Sequence, residues 1–340
     1  MKKLFLILIM NLVVVSGVYA AEKITLTIHH LLGAKSPAHT KFLVPWGEKL
    51  KKESNGRLEV KVFPAMSLGG KPNELYKQVR DGTVDMVWTV TGYTPGVFPR
   101  SEVFELPTVH TGSAVATNLA IQEEFDMLAE DYKDVHPILV HVHAGNAIHT
   151  TKKKIQKVSD LKGLKLRSPS RTGVWLIEEL GAEPVGMPLP ALPQALSKGA
   201  VDGALIPFEV FPPFKFHELT RYSTSMKDDR RFGASVFLFA MNKDTYKSLP
   251  KDLQKIIDNN SGKALAKSMG QVWMDVEAPG QKFQRNSKDS AVVQLSEKES
   301  EKFNKVGQKV VDRWIKEVSS KKIDGASLVK KARKAISKYE

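Results

Sequence analysis

The chain has 340 residues, with 51 Lys or Arg against 37 Asp or Glu, a formal net charge of +14 and no cysteine. Without thiols there is neither a disulfide framework nor a thiolate metal site, so stability rests on burial alone, and this length exceeds what one hydrophobic core usually organises, predicting two lobes. The positive surplus suits anionic partners, but lysines alternate with acids along the whole length and form no arginine-rich face with interleaved aromatics, which argues against nucleic acid.

The amino terminus carries Lys2 and Lys3, an apolar run from Leu4 to Val15, and Val18-Tyr19-Ala20 with small side chains before a plausible cut. This pattern predicts a secretory signal peptide over 1–20, cleaved near Ala20. The apolar run is too short to cross a hydrocarbon core about 30 Å thick. With no cysteine to carry a lipid, the mature chain is expected to diffuse freely in a periplasm, without stable membrane insertion.

Ile24, Leu26 and Ile28 alternate with polar residues and predict a strand over Lys23–His30. Pro37 opens a helix running to about Ser54, which Asn55-Gly56 ends. Leu58, Val60 and Val62 mark a second strand, Pro72 to Arg80 a second helix, and Val84 to Thr89 a nearly all-apolar third strand. This β-α-β-α-β order implies a parallel sheet covered on both faces.

A second copy begins near residue 145, with a strand at Leu164 and Leu166, a helix from Thr172 to Leu180 stopped by Gly181, and another from Ala191 to Lys198. The segments from Gln78 to Asp85 and from Ala195 to Asp202 share an apolar helix residue, a glycine stop and Val-Asp entering a strand, which supports two similar lobes. Phe232 to Met241 is another apolar run, and a helical pattern follows from about Pro250 to Phe283 with interruptions at Gly270 and Pro279-Gly280. Unbroken, it would extend roughly 50 Å and tie the lobes together. The tail predicts a strand at Val292–Leu295, a helix from Glu297 to about Val318, and a basic helix from Ser327 to Tyr339. The apolar stripe of that last helix, Leu328, Val329, Ala332, Ala335 and Ile336, is expected to pack on the body rather than on a membrane.

Gly-x-Ser-x-Gly, a phosphate loop, Gly-x-Gly-x-x-Gly and His-Glu-x-x-His are all absent. Gly69-Gly70-Lys71 is followed by Pro72 where a phosphate loop needs a hydroxyl, so it reads as a helix-entry turn. His141 and His143 share one face of a strand, with His149 nearby, and would serve a secreted metal-dependent hydrolase, but no local spacing completes the ligand shell. No metal, cofactor or catalytic residue is expected. Glu178-Glu179 point in different directions on a helix and do not form a catalytic pair.

The segment from Asp160 to Pro169 is different in kind, because it sets Arg167 at the carboxyl end of a strand just before a helix, the edge that faces the ligand crevice in open parallel sheets. A guanidinium presents a planar fork that matches the two oxygens of a carboxylate, and the following helix start adds backbone N–H groups. A surface arginine paired with a local acid fits the spacing equally well.

At this segment the sequence resembles the substrate-binding subunits of tripartite ATP-independent periplasmic (TRAP) transporters, the DctP family. The likeness covers essentially the whole mature chain. It includes Leu68-Gly69-Gly70, Gln78 to Gly82, Asp160 to Pro169, Gly199 to Gly203 with Pro207, and Met241-Asn242-Lys243 before Leu249-Pro250. The resemblance implies an α/β fold of two lobes, each a mainly parallel sheet flanked by helices, joined by crossing strands and a long helix. Lobe I would comprise 21–144 plus about 233–275, and lobe II 145–232 plus about 276–340. It further implies that Arg167 bridges the carboxylate of a small organic acid, which a monomer delivers to the transporter's membrane subunits. The same fold also serves sensors and ATP-driven (ABC-type) permeases.

Sialic-acid-binding members carry a second arginine where this chain has Ala147 and an asparagine where it has Ile206, so that ligand is not expected. Arg230 and Arg231 stand near where cation-assisted keto-acid binders have an acidic ligand, which speaks against a bridging metal. Trp88, Tyr93, Phe208 and Leu189 suggest an apolar wall, with Glu209 or an arginine as a polar contact. The candidate ligand-binding set is therefore Arg167, Trp88, Tyr93, Leu189, Ile206, Phe208, Glu209, Arg231 and Asn242, and the expected ligand a monocarboxylate with an apolar or aromatic body.

Overall fold

A computed structural model describes residues 23–340. The signal-peptide expectation over 1–20 lies outside the described residues. Among the described residues eleven strands form two sheets. In the first, β1 (Ile24–His30), β2 (Leu58–Phe63), β3 (Met86–Val90), β4 (His136–Val142) and β10 (Val236–Met241) take the order β2-β1-β3-β10-β4. In the second, β5 (Ala147–Thr150), β6 (Lys165–Ser168), β7 (Glu183–Gly186), β8 (Gly203–Ile206), β9 (Tyr222–Ser225) and β11 (Ala291–Gln294) take the order β11-β9-β5-β8-β6-β7. Each sheet is parallel apart from one strand. β10 is antiparallel to β3 and β4, and β5 to β8 and β9. These are the strands that follow the two crossings, β4 to β5 and β9 to β10, so each crossing delivers its odd strand into the middle of the other sheet.

Strands covered on both faces read as apolar runs, and both parallel β3 and antiparallel β10 are buried at every position. The polar strand β9, Tyr-Ser-Thr-Ser, gave no such signal, yet it is buried between β5 and β11. Its hydroxyls are satisfied inside: Thr224 donates to the Ile155 carbonyl, and Ser223 bonds His149 Nδ1.

The first helix begins after Pro37 as expected, but Ala38–Leu43 is a wide π-type turn before the regular helix Val44–Glu53. Pro45, which has no N–H to continue the ladder, sits at that junction. The pattern from Pro250 to Phe283 breaks at a different place from the one expected. Ser261, in extended conformation, separates Lys251–Asn259 from a single helix Gly262–Asn286 that runs through Gly270 and Pro279. The glycines here allow close packing instead of stopping the helix. A Cβ on Gly270 would come 2.6 Å from Val115 Cα, and one on Gly280 would come 2.0 Å from the Phe208 carbonyl oxygen. At 25 residues the helix is about 38 Å long. It packs on helix Ala114–Glu123 and β4 beside the first sheet, and on Phe208–Val210 and β11 beside the second.

The carboxy-terminal helix Gly325–Ser337 buries Leu328, Val329, Ala332, Ala335 and Ile336 against helices Ala114–Glu123 and Glu297–Ser319. Its apolar stripe belongs to the body. No helix of the described residues is long and apolar enough to cross a membrane.

Candidate functional site

Arg167 is the third residue of β6, paired with Val185 and Ala204 of its neighbours. The chain turns at Pro169, and the Ser170 hydroxyl then accepts from Gly173 N to cap helix Arg171–Glu179. The residue is 2% exposed. Nε donates to the Met187 carbonyl at 2.9 Å, Nη1 to the Leu205 carbonyl at 3.1 Å, and Nη2 to the Tyr93 hydroxyl at 3.3 Å. Three of its five N–H groups are thereby placed, leaving one on each terminal nitrogen. Burial lowers its pKa, and the group that supports its charge is Tyr93; no carboxylate among the described residues does so. A buried cation without a counter-anion is costly. The surface ion pair that the sequence left open is therefore excluded.

Arg167 lines a narrow cavity of about 30 Å³ where the sheets face each other. Trp88, Tyr93, Leu189, Ile206 and Glu209 share its wall. β3 delivers Trp88, whose ring stacks on Phe237 at 4.7 Å and whose Nε1 donates to His141 Nε2. Tyr93 reaches across from the segment after β3, and its hydroxyl also accepts from Leu189 N at 2.9 Å. Outside Tyr93 and Pro169 a larger cleft opens, lined by Lys71, Arg171 and Met187 among others.

Three expected residues lie elsewhere. Phe208 is fully buried, packed on His149 and Phe211 behind the wall. Arg231 is turned away, paired with Asp229 at 2.8 Å and Glu277 at 3.2 Å. Asn242 caps helix Lys243–Ser248, accepting from Asp244 N and Thr245 N while donating to the Val79 and Arg80 carbonyls. Its amide is consumed by that corner, and it is no part of the cavity.

Glu209 faces the cavity but sits beside Glu277, whose two oxygens accept from Phe208 N and Glu209 N. Burial, then the neighbouring Glu277, push the Glu209 pKa well up, against a smaller opposing effect of Arg231. The shift favours the neutral form of the Glu209 carboxyl.

The wall also contains Leu31, Val90, His143, Asn146, Ser235 and Phe237, which the sequence did not single out for binding. Most lie beside the crossings near Gly145 and Phe232, and the position of those crossings was the available signal. His143 was weighed as a metal ligand with His141, but their nitrogens do not converge. Those of His143 face the backbone N–H groups of Gly145 and Ser235, and those of His141 face the indoles of Trp88 and Trp273. Among the described residues no group of three His, Asp or Glu is arranged to hold a metal.

Residues 28–317 match the family described as bacterial extracellular solute-binding protein, family 7. The chain belongs to that family. DctP-type members are substrate-binding subunits of TRAP transporters and not enzymes, and solved relatives reproduce the two-lobed fold. A marine metagenome TRAP solute-binding protein specific for aromatic acid ligands is 45% identical, with a TM-score of 0.91 over 94% of this chain and 100% of that one; its structure contains metahydroxyphenylacetate. A TRAP solute-binding protein from Rhodoferax ferrireducens, holding copurified benzoate, is 40% identical with a TM-score of 0.90 over 93% and 98%. Among curated proteins, the outer membrane transporter protein TsaT of Comamonas testosteroni is 26% identical over 90% of this chain and 89% of its own length.

Proposed function

We propose that this family 7 protein captures an aromatic monocarboxylate in the periplasm and hands it to the membrane subunits of a TRAP transporter. The observation that carries the reading is Arg167, a buried guanidinium with no acidic partner among the described residues and two free N–H groups, set in an apolar cavity. A carboxylate supplies the missing charge and accepts both N–H groups, while an aromatic body covers Trp88, Leu189, Ile206 and Phe237. Apolar Ala147 and Ile206, both fully buried, leave no second cationic pole for a sialic acid. The aromatic acids held by the metagenome and Rhodoferax proteins support the same class.

In this reading Arg167, Tyr93 and Glu209 make the polar contacts, Trp88, Leu189 and Ile206 form the wall, and Phe208 and Arg231 brace it from behind. Lobe I comprises 21–144 and about 233–275, lobe II the remainder of the mature chain, and the protein acts as a monomer after cleavage near Ala20. A thermal-shift panel of benzoate, hydroxybenzoates, phenylacetates, aliphatic dicarboxylates and sialic acid tests the ligand class. Saturable stabilisation by the aromatic monocarboxylates is expected. A panel in which only dicarboxylates or sugar acids stabilise the protein overturns the reading.

A further inference from the structure

The cavity has polar atoms at a place that a simple aromatic acid would leave unsatisfied. Glu209 is 4% exposed and lines the wall, and its Oε2 is fully buried with no hydrogen-bond partner. Asn146 is 3% exposed and lines the same wall, and its Oδ1 is likewise buried without a partner. A buried polar atom left unmet is costly, so two in one ligand cavity point to a ligand that meets them.

Their place in the fold sets them apart from Arg167. Asn146 directly precedes Ala147, which pairs with Ile206 of β8, and Glu209 follows three residues after Ile206. Arg167 lies on β6, on the other flank of β8. Two strand spacings, about 9.6 Å, separate the backbones of β5 and β6, and the Arg167 guanidinium reaches in from the β6 side as far as the Leu205 carbonyl of β8. Nearby groups do not take the role. Arg231 lies outside the wall, its Nη2 paired with Asp229 and Glu277 and its buried Nη1 without a partner, and both His143 nitrogens face backbone N–H groups.

Resting on the aromatic-acid reading, we propose that Glu209 and Asn146 form a second polar pole that binds a hydroxyl group on the ligand's ring, so that the protein selects hydroxylated aromatic monocarboxylates over unsubstituted ones. The chemistry is complementary. A phenol donates its O–H to Asn146 Oδ1 and accepts from the Glu209 carboxyl, the mirror of the carboxylate end. Burial and the neighbouring Glu277 favour the protonated form of Glu209, in which it has a proton to donate and does not repel an anionic ligand. An ionised Glu209 would instead favour a ring bearing an ammonium group.

Calorimetric titration of wild-type protein with benzoate, 3-hydroxybenzoate, 3-chlorobenzoate and 3-aminomethylbenzoate tests this. The hydroxy acid is expected to bind at least tenfold tighter than benzoate and than the chloro acid, which fills the same space without a hydrogen bond. In Glu209→Leu, with folding checked by circular dichroism, the hydroxy-to-chloro preference should collapse to below threefold. In Glu209→Gln, a neutral group that still donates and accepts, most of it should persist. Asn146→Ala gives a second, independent loss if Glu209→Leu does not fold. Chloro and hydroxy acids binding alike to wild type, or the aminomethyl acid binding best, overturns the proposal while leaving the aromatic-acid reading intact. If none of the four binds, the parent reading falls instead.

Discussion

The hydroxyl of Tyr93, from the segment after β3, lies 3.3 Å from Nη2 of Arg167 on β6, so one oxygen links the two sheets at the wall of the cavity. The same oxygen accepts from Leu189 N at 2.9 Å. Having accepted two N–H groups, it keeps its own proton for a third partner, and the group both residues surround is the proposed carboxylate. Tyr93→Phe should weaken binding of a stabilising acid by roughly 1–3 kcal/mol, measured by titration calorimetry. Wild-type affinity in this variant would show that the hydroxyl is incidental.

Gly92, the neighbour of Tyr93, brings the backbones of the two lobes together. A Cβ there would lie 2.6 Å from Ser170 Cβ and 3.0 Å from the Pro169 carbonyl oxygen, inside the closest distances real side chains adopt. Gly92→Ala should therefore hold the lobes apart, lowering affinity tenfold or more, with a larger radius of gyration in ligand-saturated protein by small-angle scattering. Unchanged affinity and radius would mean that the interface yields at no cost.

Asn242 offers a contrast. Its four hydrogen bonds to backbone groups are structural, and loss of an N-cap costs about 0.5–2 kcal/mol. Asn242→Ala should lower the urea midpoint and leave ligand affinity within twofold of wild type. A selective loss of affinity at unchanged stability would return Asn242 to the site.

Acid should unfold this protein readily. Burial lowers His30, His141 and His149 to about 3 and His110 to about 4. Below about 6.5 the unfolded chain takes up protons that these histidines refuse in the fold, so stability falls as pH falls, by about 1.4 kcal/mol per pH unit for each fully buried group. Glu105, raised by burial to about 7, acts in the opposite sense between about 4.5 and 7, since there the folded state holds the extra proton. Glu209 and Glu277, also raised by burial, act with Glu105, and His143, also lowered by burial, acts with the other histidines. The five histidines outweigh the three carboxyls. The urea midpoint should drop steeply from pH 7 to pH 5. A flat profile over that range would contradict the buried-neutral assignment.

How far the sequence was legible follows from the kind of signal each feature carries. β3 and β10 announce themselves as apolar runs because both faces are covered. β9 does not, because Ser223 and Thr224 satisfy their hydroxyls through partners distant in sequence, at His149 and Ile155. Gly270 and Pro279 read as helix interruptions, yet tertiary packing on Val115 and Phe208 overrides that local preference. Arg167 was findable because strand-end position and guanidinium chemistry are both local. Asn146 and Ser235 were not, since the crossings bring them to the cavity from 89 positions apart in the sequence. Arg231 and Glu209 look alike as charged residues near a strand end. Only the position of Glu277, on the long helix, decides which is neutralised and which is left facing the ligand.

The central claim is that Arg167 holds the ligand's carboxylate. Titration calorimetry of wild type and Arg167→Ala with the aromatic acid that most stabilises the wild type tests it directly. The account predicts that affinity falls by about 2–5 kcal/mol, more than any loss of ligand-free stability, because removing this cation strands the Met187 and Leu205 carbonyls but no described carboxylate. Equal affinity in the two proteins would contradict it.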